Sequence, residues 1–219
     1  MDVLAIFSVD NWHGCFEESD QKTALRKIER GQLLYYPQLS VKLSSEEECL
    51  FDPNSLKQGA KNISFDPKTH QLTGVHNQYP SKAVLRSLLI CFSQKADQFV
   101  KRLFPTYYTY LLLGQTSYRL AEIKQRKTLL LKKDRLLHID AFSSRPSHGQ
   151  RILRLFCNIN PNGEERVWYI GECFVHLAPR YLAKIMPPFP GSRSLLYWLV
   201  LQRVYVARMI ILCFKFMMS

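Results

Sequence analysis

Residues 135–172, RLLHIDAFSSRPSHGQRILRLFCNINPNGEERVWYIGE, decide the reading of the fold. Leu136 to Phe142 has the composition of a short strand, and inside it stands His138-Ile139-Asp140. On a strand, residues i and i+2 share a face. His138 and Asp140 would therefore present an imidazole and a carboxylate side by side, with Ile139 turned into a core. Such a pair supplies two members of a 2-His-1-carboxylate facial triad, which holds Fe(II) and leaves positions open for a co-substrate and O2. As a bare tripeptide it equally describes a solvated strand with a surface histidine and aspartate. The flanking residues continue a β pattern. Arg145-Pro146-Ser147-His148-Gly149 reads as a turn, and Arg151 to Ile159 as a strand with Ile152, Leu153, Leu155 and Phe156 as core candidates. Asn160-Pro161-Asn162-Gly163 reads as a hairpin turn, with Arg166 to Ile170 as the returning strand.

Towards the N-terminus, Ser117 to Ile123 alternates as a strand should. Residues 81–103, SKAVLRSLLICFSQKADQFVKRL, carry apolar positions at helical spacing and stop at Pro105. Residues 51–80 are rich in Asp-Pro, Asn and Gly and read as loops around short strands. Ser44-Ser45-Glu46-Glu47-Glu48 has the hydroxyls and first-turn carboxylates of a helix start. Residues 20–30, DQKTALRKIER, predict a helix ending at Gly31, and Leu33-Leu34-Tyr35-Tyr36 a short buried strand closed by Pro37. Helices first and short hairpin-linked strands afterwards predict an α+β chain ending in a sandwich or barrel. The expected organisation is a helical and mixed portion over 1–105, a partial barrel core over 106–198, and an apolar but basic tail over 199–219.

With 219 residues and 47% hydrophobic content, the chain can bury one well-packed core. The six cysteines are scattered without a CxxC pair, which argues against a zinc knuckle or disulfide framework and for reduced thiols in the cytoplasm. The opening MDVLAIFSVDNWHG lacks a basic region before its apolar run, so it does not read as a signal peptide. A net charge of +12 favours an anionic partner: nucleic acid, an anionic membrane surface or a phosphorylated substrate. The basic residues are spread along the chain with no nucleic-acid motif beside them, which places nucleic acid last.

The 135–172 run resembles the Kdo hydroxylase family, Fe(II)- and 2-oxoglutarate-dependent oxygenases that act on 3-deoxy-D-manno-oct-2-ulosonic acid (Kdo) in the inner core of lipopolysaccharide. Lys27 to Pro37 (KIERGQLLYYP), Ala60 to Gly74 (AKNISFDPKTHQLTG) and Ser117 to Arg126 (SYRLAEIKQR) are also similar to that family, so the likeness extends over residues 1–198. The resemblance implies a double-stranded β-helix core, of the jelly-roll or cupin kind, behind N-terminal helices. It implies His138 and Asp140 as iron ligands, 2-oxoglutarate oxidised to succinate and CO2, O2 as oxidant, ascorbate as an accessory reductant, and hydroxylation at C3 of the sugar. The implied substrate is a Kdo-containing lipid A precursor, met by peripheral contact with the anionic inner membrane at its cytoplasmic face. A bidentate arginine is the natural partner of the co-substrate's distal carboxylate. Arg119, Arg145, Arg151 and Arg154 are the candidates, unranked, and each could equally be solvent-facing charge. Asn158 and Asn160 would either hold co-substrate or cap the hairpin turn. Lys61 and Asn62 are expected near the substrate on the resemblance, and Trp168 is expected in the core.

The chain departs from the family at its distal histidine. His148 sits in the turn too close to Asp140, and His176 reads as a loop histidine. Residues 199–219, LVLQRVYVARMIILCFKFMMS, do not resemble the family; with Arg203, Arg208 and Lys215 they make a poor membrane span, though a basic amphipathic membrane helix fits. A frameshift explains them better. In the frame built from the third base of each codon and the first two of the next, Met209-Ile210 and Met217-Met218 both force Asp. One permitted reading from Ala207/Arg208 is Gln-Tyr-Asp-His-Phe-Met-Leu-Gln-Ile-His-Asp, which resembles the family's distal-histidine segment and puts the lost ligand near Ile210–Ile211. The expectation is a hydroxylase impaired by its missing third ligand and left with an exposed sheet edge. The competing expectation is a non-catalytic barrel that binds anionic glycolipid or membrane.

Overall fold

The computed structural model describes residues 3–120, 150–160, 162–165, 167, 171, 174–182 and 210–217. Two compact units divide the chain. One comprises Met1–Lys127, Arg151–Arg166 and Met209–Ser219, the other Thr128–Gln150 and Val167–Arg208.

The first unit is built around one long helix and one sheet, preceded by a small strand pair. Strand β1 (Leu4–Ile6) pairs in parallel with β2 (Leu33–Tyr35), and helix α1 (Glu18–Glu29) connects them. Helix α1 carries Glu18 and Asp20 in its first turn and Arg26 and Lys27 in its last, complementing the helix dipole. It stops in a Schellman arrangement: Gly31 at φ +79° lets Gly31 N–H reach the Ile28 carbonyl and Gln32 N–H the Lys27 carbonyl, both at 3.0 Å. The expected helix start at Ser44 is a capping box. Glu47 N–H donates to Ser44 Oγ at 3.3 Å and Ser44 N–H to Glu47 Oε2 at 2.9 Å, opening the single turn α2 (Ser45–Glu48).

Helix α3 (Lys82–Leu103) matches its predicted span to within one residue at the start. Leu85, Leu88, Leu89, Phe92, Ala96, Phe99, Val100 and Leu103 are buried at the 3–4-residue spacing of one helical face. On one flank Phe99 meets the rings of Trp12, Phe16 and Tyr36 at centroid distances of 5.6, 5.3 and 5.3 Å. The indole of Trp12 donates to the Ser40 carbonyl at 2.8 Å, so this aromatic cluster also fixes the loop after β2.

The sheet has the order β4-β3-β5-β7-β6, with β3 (Ile63–Phe65), β4 (Leu72–Thr73), β5 (Leu111–Arg119), β6 (Arg151–Asn158) and β7 (Ile210–Met217). Strand β3 is antiparallel to β4 and β5, whereas β7 runs parallel to both β5 and β6. A bulge between Leu113 and Thr116 shifts the β5 register by one residue. In consequence Leu111, Leu113, Thr116 and Tyr118 share the face turned to the core. In the second unit, helix α4 (Phe174–Leu182) is described.

Four expectations are corrected. The 33–36 strand is not buried: among the described residues β2 pairs only with β1, and Leu33 and Tyr35 are exposed on its outer side. The β5 strand starts at Leu111 rather than Ser117, after a 3-10 turn over Pro105–Tyr110. His176 lies on α4, exposed, rather than in a loop. Residues 210–217 form a strand rather than a membrane helix, in keeping with the β-branched and aromatic content of Ile210-Ile211-Leu212-Cys213-Phe214. The strands expected over Leu136–Phe142 and Arg166–Ile170, the turn at Arg145–Gly149 and the core position of Trp168 lie outside the described residues.

Candidate functional site: the polar face of the sheet

Strand register sorts the candidate residues. One face of the sheet carries Ile63 and Phe65 on β3, Tyr118 on β5, and Leu153, Leu155 and Cys157 on β6, all packed into the core. The alternate positions carry Ser64 on β3, Ser117 and Arg119 on β5, and Ile152, Arg154, Phe156 and Asn158 on β6. Phe156, expected in the core, is therefore exposed: it is even-numbered on a strand whose odd-numbered residues face inward. The same alternation gathers Arg119, Arg154 and Asn158 on one face.

Arg119 and Asn158 align with the same position of β7, Met217, so their backbones stand about 10 Å apart, two strand spacings. Arg119 is half-buried at the end of β5, and its Nε atom is buried. Arg154 is half-buried in mid-β6. Arg151, the third of the candidate arginines among the described residues, instead pairs with Glu29 of α1 through one nitrogen at 2.8 and 2.9 Å to the two carboxylate oxygens.

Asn158 is engaged in the turn after β6. Its Nδ2 donates to the Glu164 carbonyl at 2.7 Å, and its Oδ1 accepts from Asn160 N–H at 3.2 Å. Asn160 continues the pattern, accepting from Asn162 N–H at 2.7 Å and donating to Glu164 Oε2 at 3.1 Å. Gly163 N–H closes the turn on the Asn160 carbonyl at 3.1 Å, with Gly163 at φ +71°.

Asn62 belongs to a hydrogen-bond chain that the sequence did not signal as functional. Its Nδ2 donates to Ser64 Oγ at 2.6 Å, and Ser64 Oγ lies 3.1 Å from Ser117 Oγ. Both serines are buried. Their alternation with apolar neighbours, in Ile63-Ser64-Phe65 and Thr116-Ser117-Tyr118, was the available signal. The Asn62 carbonyl is held against Gly74: a Cβ there would stand 2.2 Å from it, and Gly74 has φ +79°. Lys61, next along, is half-buried.

The proposed iron ligands His138 and Asp140, with Arg145 and His148, lie outside the described residues. Among the described residues no group of three or more His, Cys, Asp or Glu side chains could hold a metal ion. The donor chemistry of His138 and Asp140 fits Fe(II): an imidazole nitrogen and a carboxylate oxygen on alternate residues are two of the three facial-triad ligands. Elsewhere in the first unit, burial pushes the Cys157 thiol up to about 11 and moves the Tyr118 phenol well above its ordinary range. Both point into the core, away from the polar face.

Among the described residues no helix is long and apolar enough to cross a membrane. A family model for 3-deoxy-D-manno-oct-2-ulosonic acid (Kdo) hydroxylase matches residues 11–209. Among solved structures, the chain is similar to the Kdo hydroxylase KdoO, a non-heme Fe(II) α-ketoglutarate-dependent dioxygenase, in complex with cobalt(II), at 36% identity and TM-score 0.79. The apo structure of KdoO gives 36% identity and TM-score 0.78, and the complex with α-ketoglutarate and Fe(III) gives 35% and 0.77. Each alignment covers 90% of this chain. It covers 65–66% of the KdoO chain, so this chain spans just under two thirds of the length of the solved proteins it matches. No curated protein matches the sequence. The matched span of 11–209 and the 36% identity make the chain a member of the Kdo hydroxylase family.

Proposed function

We propose that this chain is an Fe(II)/2-oxoglutarate-dependent hydroxylase of Kdo, acting at C3 of the sugar in the lipid A–inner core of lipopolysaccharide. The observation that carries this reading is the presence of His138-Ile139-Asp140 within the matched span of a family whose solved member is described in complex with α-ketoglutarate and Fe(III). The proposed core is a double-stranded β-helix, of which the described sheet supplies strands. His138 and Asp140 would hold the iron; iron would supply O2 activation coupled to oxidation of 2-oxoglutarate to succinate and CO2, with ascorbate as accessory reductant.

The chain's own residues then divide the remaining work. One of Arg119, Arg145 and Arg154 holds the distal carboxylate of 2-oxoglutarate as a bidentate pair. Arg119 is favoured, because it is half-buried at a strand end on the polar face, where a guanidinium–carboxylate pair is screened less than in open water. Lys61 and Asn62 lie beside the sugar, Lys61 as a cation for its carboxylate and Asn62 held in place through Ser64 and Ser117. The net charge of +12 suits an anionic glycolipid presented at the cytoplasmic face of the inner membrane, with no role for nucleic acid.

A finer proposal concerns the third ligand. The family match ends at residue 209 and residues 199–219 contain no histidine, so on this proposal the site has two protein donors where the triad needs three, and iron affinity is reduced. The second reading, a non-catalytic barrel that binds anionic glycolipid or membrane, is favoured by that same lack of a histidine. Anaerobic Fe(II) titration followed by 2-oxoglutarate decarboxylation separates the two. Weak iron binding that disappears in His138→Ala and Asp140→Ala supports a damaged hydroxylase. Iron binding indifferent to both substitutions, or none at any concentration, would leave only the binder. Tight binding with full turnover would remove the impairment.

A further inference from the structure

The β1–β2 pair has one covered face and one bare face. Ala5 is buried beneath it and Leu34 half-buried. On the outer side, register sets Leu4 beside Leu33 and Ile6 beside Tyr35, and all four are exposed, Ile6 by 66% and Tyr35 by 50%. Val3 is exposed next to them. The outer face of a two-stranded pair normally alternates to polar residues; here it is aliphatic and aromatic throughout. A contiguous patch of this kind marks an interaction site.

Basic residues lead into the patch along the chain. The last turn of α1 carries Arg26 and Lys27, and Arg30 follows three residues before Leu33. Arg26 and Arg30 are exposed. The helix's acidic residues, Glu18 and Asp20, lie in its first turn, roughly 15 Å away along the axis. Glu29, the one carboxylate at the basic end of the helix, is paired with Arg151 at 2.8 Å.

We propose that this apolar face, with its basic border, seats the protein on an anionic phospholipid surface. Aliphatic and aromatic side chains enter the headgroup–acyl boundary while arginine and lysine meet lipid phosphates. Two copies stacked through the same face would instead bring two basic borders together. The proposal rests on the reading of a membrane-borne glycolipid substrate and names the surface that meets its bilayer. It is tested without iron or 2-oxoglutarate, so its failure and that of the catalytic reading are distinct results.

The experiment is flotation of the full chain with vesicles of phosphatidylglycerol in phosphatidylcholine, and with phosphatidylcholine alone. The expected result is binding to the anionic vesicles only, weakened by salt. Ile6→Ser with Tyr35→Ser lowers the vesicle affinity by about tenfold or more. Arg26→Glu with Arg30→Glu lowers it by at least roughly tenfold. Tyr110→Ser, at an exposed aromatic outside the strand pair, leaves it unchanged. Thermal melts establish that each variant is folded; should the serine pair melt early, the surface charge pair decides. Equal affinity across all variants, or no preference for anionic vesicles, overturns the proposal. A dimer in size exclusion that the serine pair abolishes also overturns it, making the face a contact between copies of this chain.

Discussion

On the α3 side of the five-stranded sheet, Ile63, Phe65, Tyr118, Leu153, Leu155 and Cys157 pack with the helix into one apolar core. On the other side, the same strands present Ser64, Ser117, Arg119, Arg154 and Asn158. The two populations interleave in sequence one residue at a time, so neighbours such as Tyr118 and Arg119 belong to different physical problems. The core face answers to packing and burial of apolar area. The polar face answers to hydrogen bonding and charge, and the proposed function would give that face a co-substrate to bind.

The sharpest break of this comparison is Tyr118→Ala. The ring is fully buried and its hydroxyl donates to the Leu50 carbonyl at 3.2 Å, tying β5 to the turn after α2. Removing it should cost about 3–5 kcal/mol of stability in urea unfolding, as large-to-small aromatic changes do. Arg119→Ala, one residue on, should cost about 1 kcal/mol or less. Comparable losses at both positions would mean that the polar face is as structural as the core.

Next in size is a pair of glycines. Gly74 and Gly163 both have positive φ, at +79° and +71°. A Cβ on Gly74 would meet the Asn62 carbonyl at 2.2 Å, whereas one on Gly163 would meet nothing within 4 Å. Gly74→Ala should destabilise by about 3 kcal/mol, strain plus overpacking, and Gly163→Ala by about 1 kcal/mol, strain alone. Thermal melts compare them directly. If the two cost the same, Gly74 is not what holds Asn62 in position.

The long helix, the Gly31 stop, the capping box at Ser44 and the Asn160–Gly163 turn were legible because each is set by residues close in sequence. The face of β6 was only half legible. Ile152, Leu153, Leu155 and Phe156 are all apolar, and apolarity alone cannot say which alternate set faces inward when Ile152 and Phe156 lie on the outer side. The bareness of β2 was hidden for a related reason: a strand's burial depends on what covers it, and among the described residues only β1 pairs with it. Nor could composition place 210–217 between β5 and β6, since that insertion is a long-range backbone pairing. Of the candidate site, the residue types were legible and the shared face of Arg119, Arg154 and Asn158 was not, because it depends on β7 registering both neighbours.

Cys157 tests the dryness of the core face. Its thiol is pushed from 9.0 up to about 11 by burial. A folded-state value above the unfolded one means stability that is full below pH 9 and lost as pH rises towards 11, about 2 kcal/mol after allowance for residual solvent access. Other groups titrate in that window, so the measurement is the difference in pH slope between the wild-type chain and Cys157→Ala. A smaller slope in the variant is expected; identical slopes would show that water reaches this side of β6. Alkylation followed by peptide mapping gives the same contrast, with exposed Cys15 and Cys91 reacting well before Cys157.

The smallest effect separates two uses of the polar face. Asn158 gives both ends of its amide to the turn after β6, at 2.7 Å to the Glu164 carbonyl and 3.2 Å from Asn160 N–H. Asn158→Ala should therefore cost about 1 kcal/mol of stability and leave 2-oxoglutarate affinity, measured in the presence of metal, where it was. Arg119→Ala should do the reverse, with stability nearly preserved and co-substrate affinity lowered by about tenfold, the loss of one charge-assisted bidentate pair. Arg119→Lys would recover little of it, because a point charge does not reproduce the guanidinium fork. Should Asn158→Ala prove the damaging change for 2-oxoglutarate, the turn must open when co-substrate arrives. The asparagine would then belong to the binding site and not to the turn that holds it in this structure.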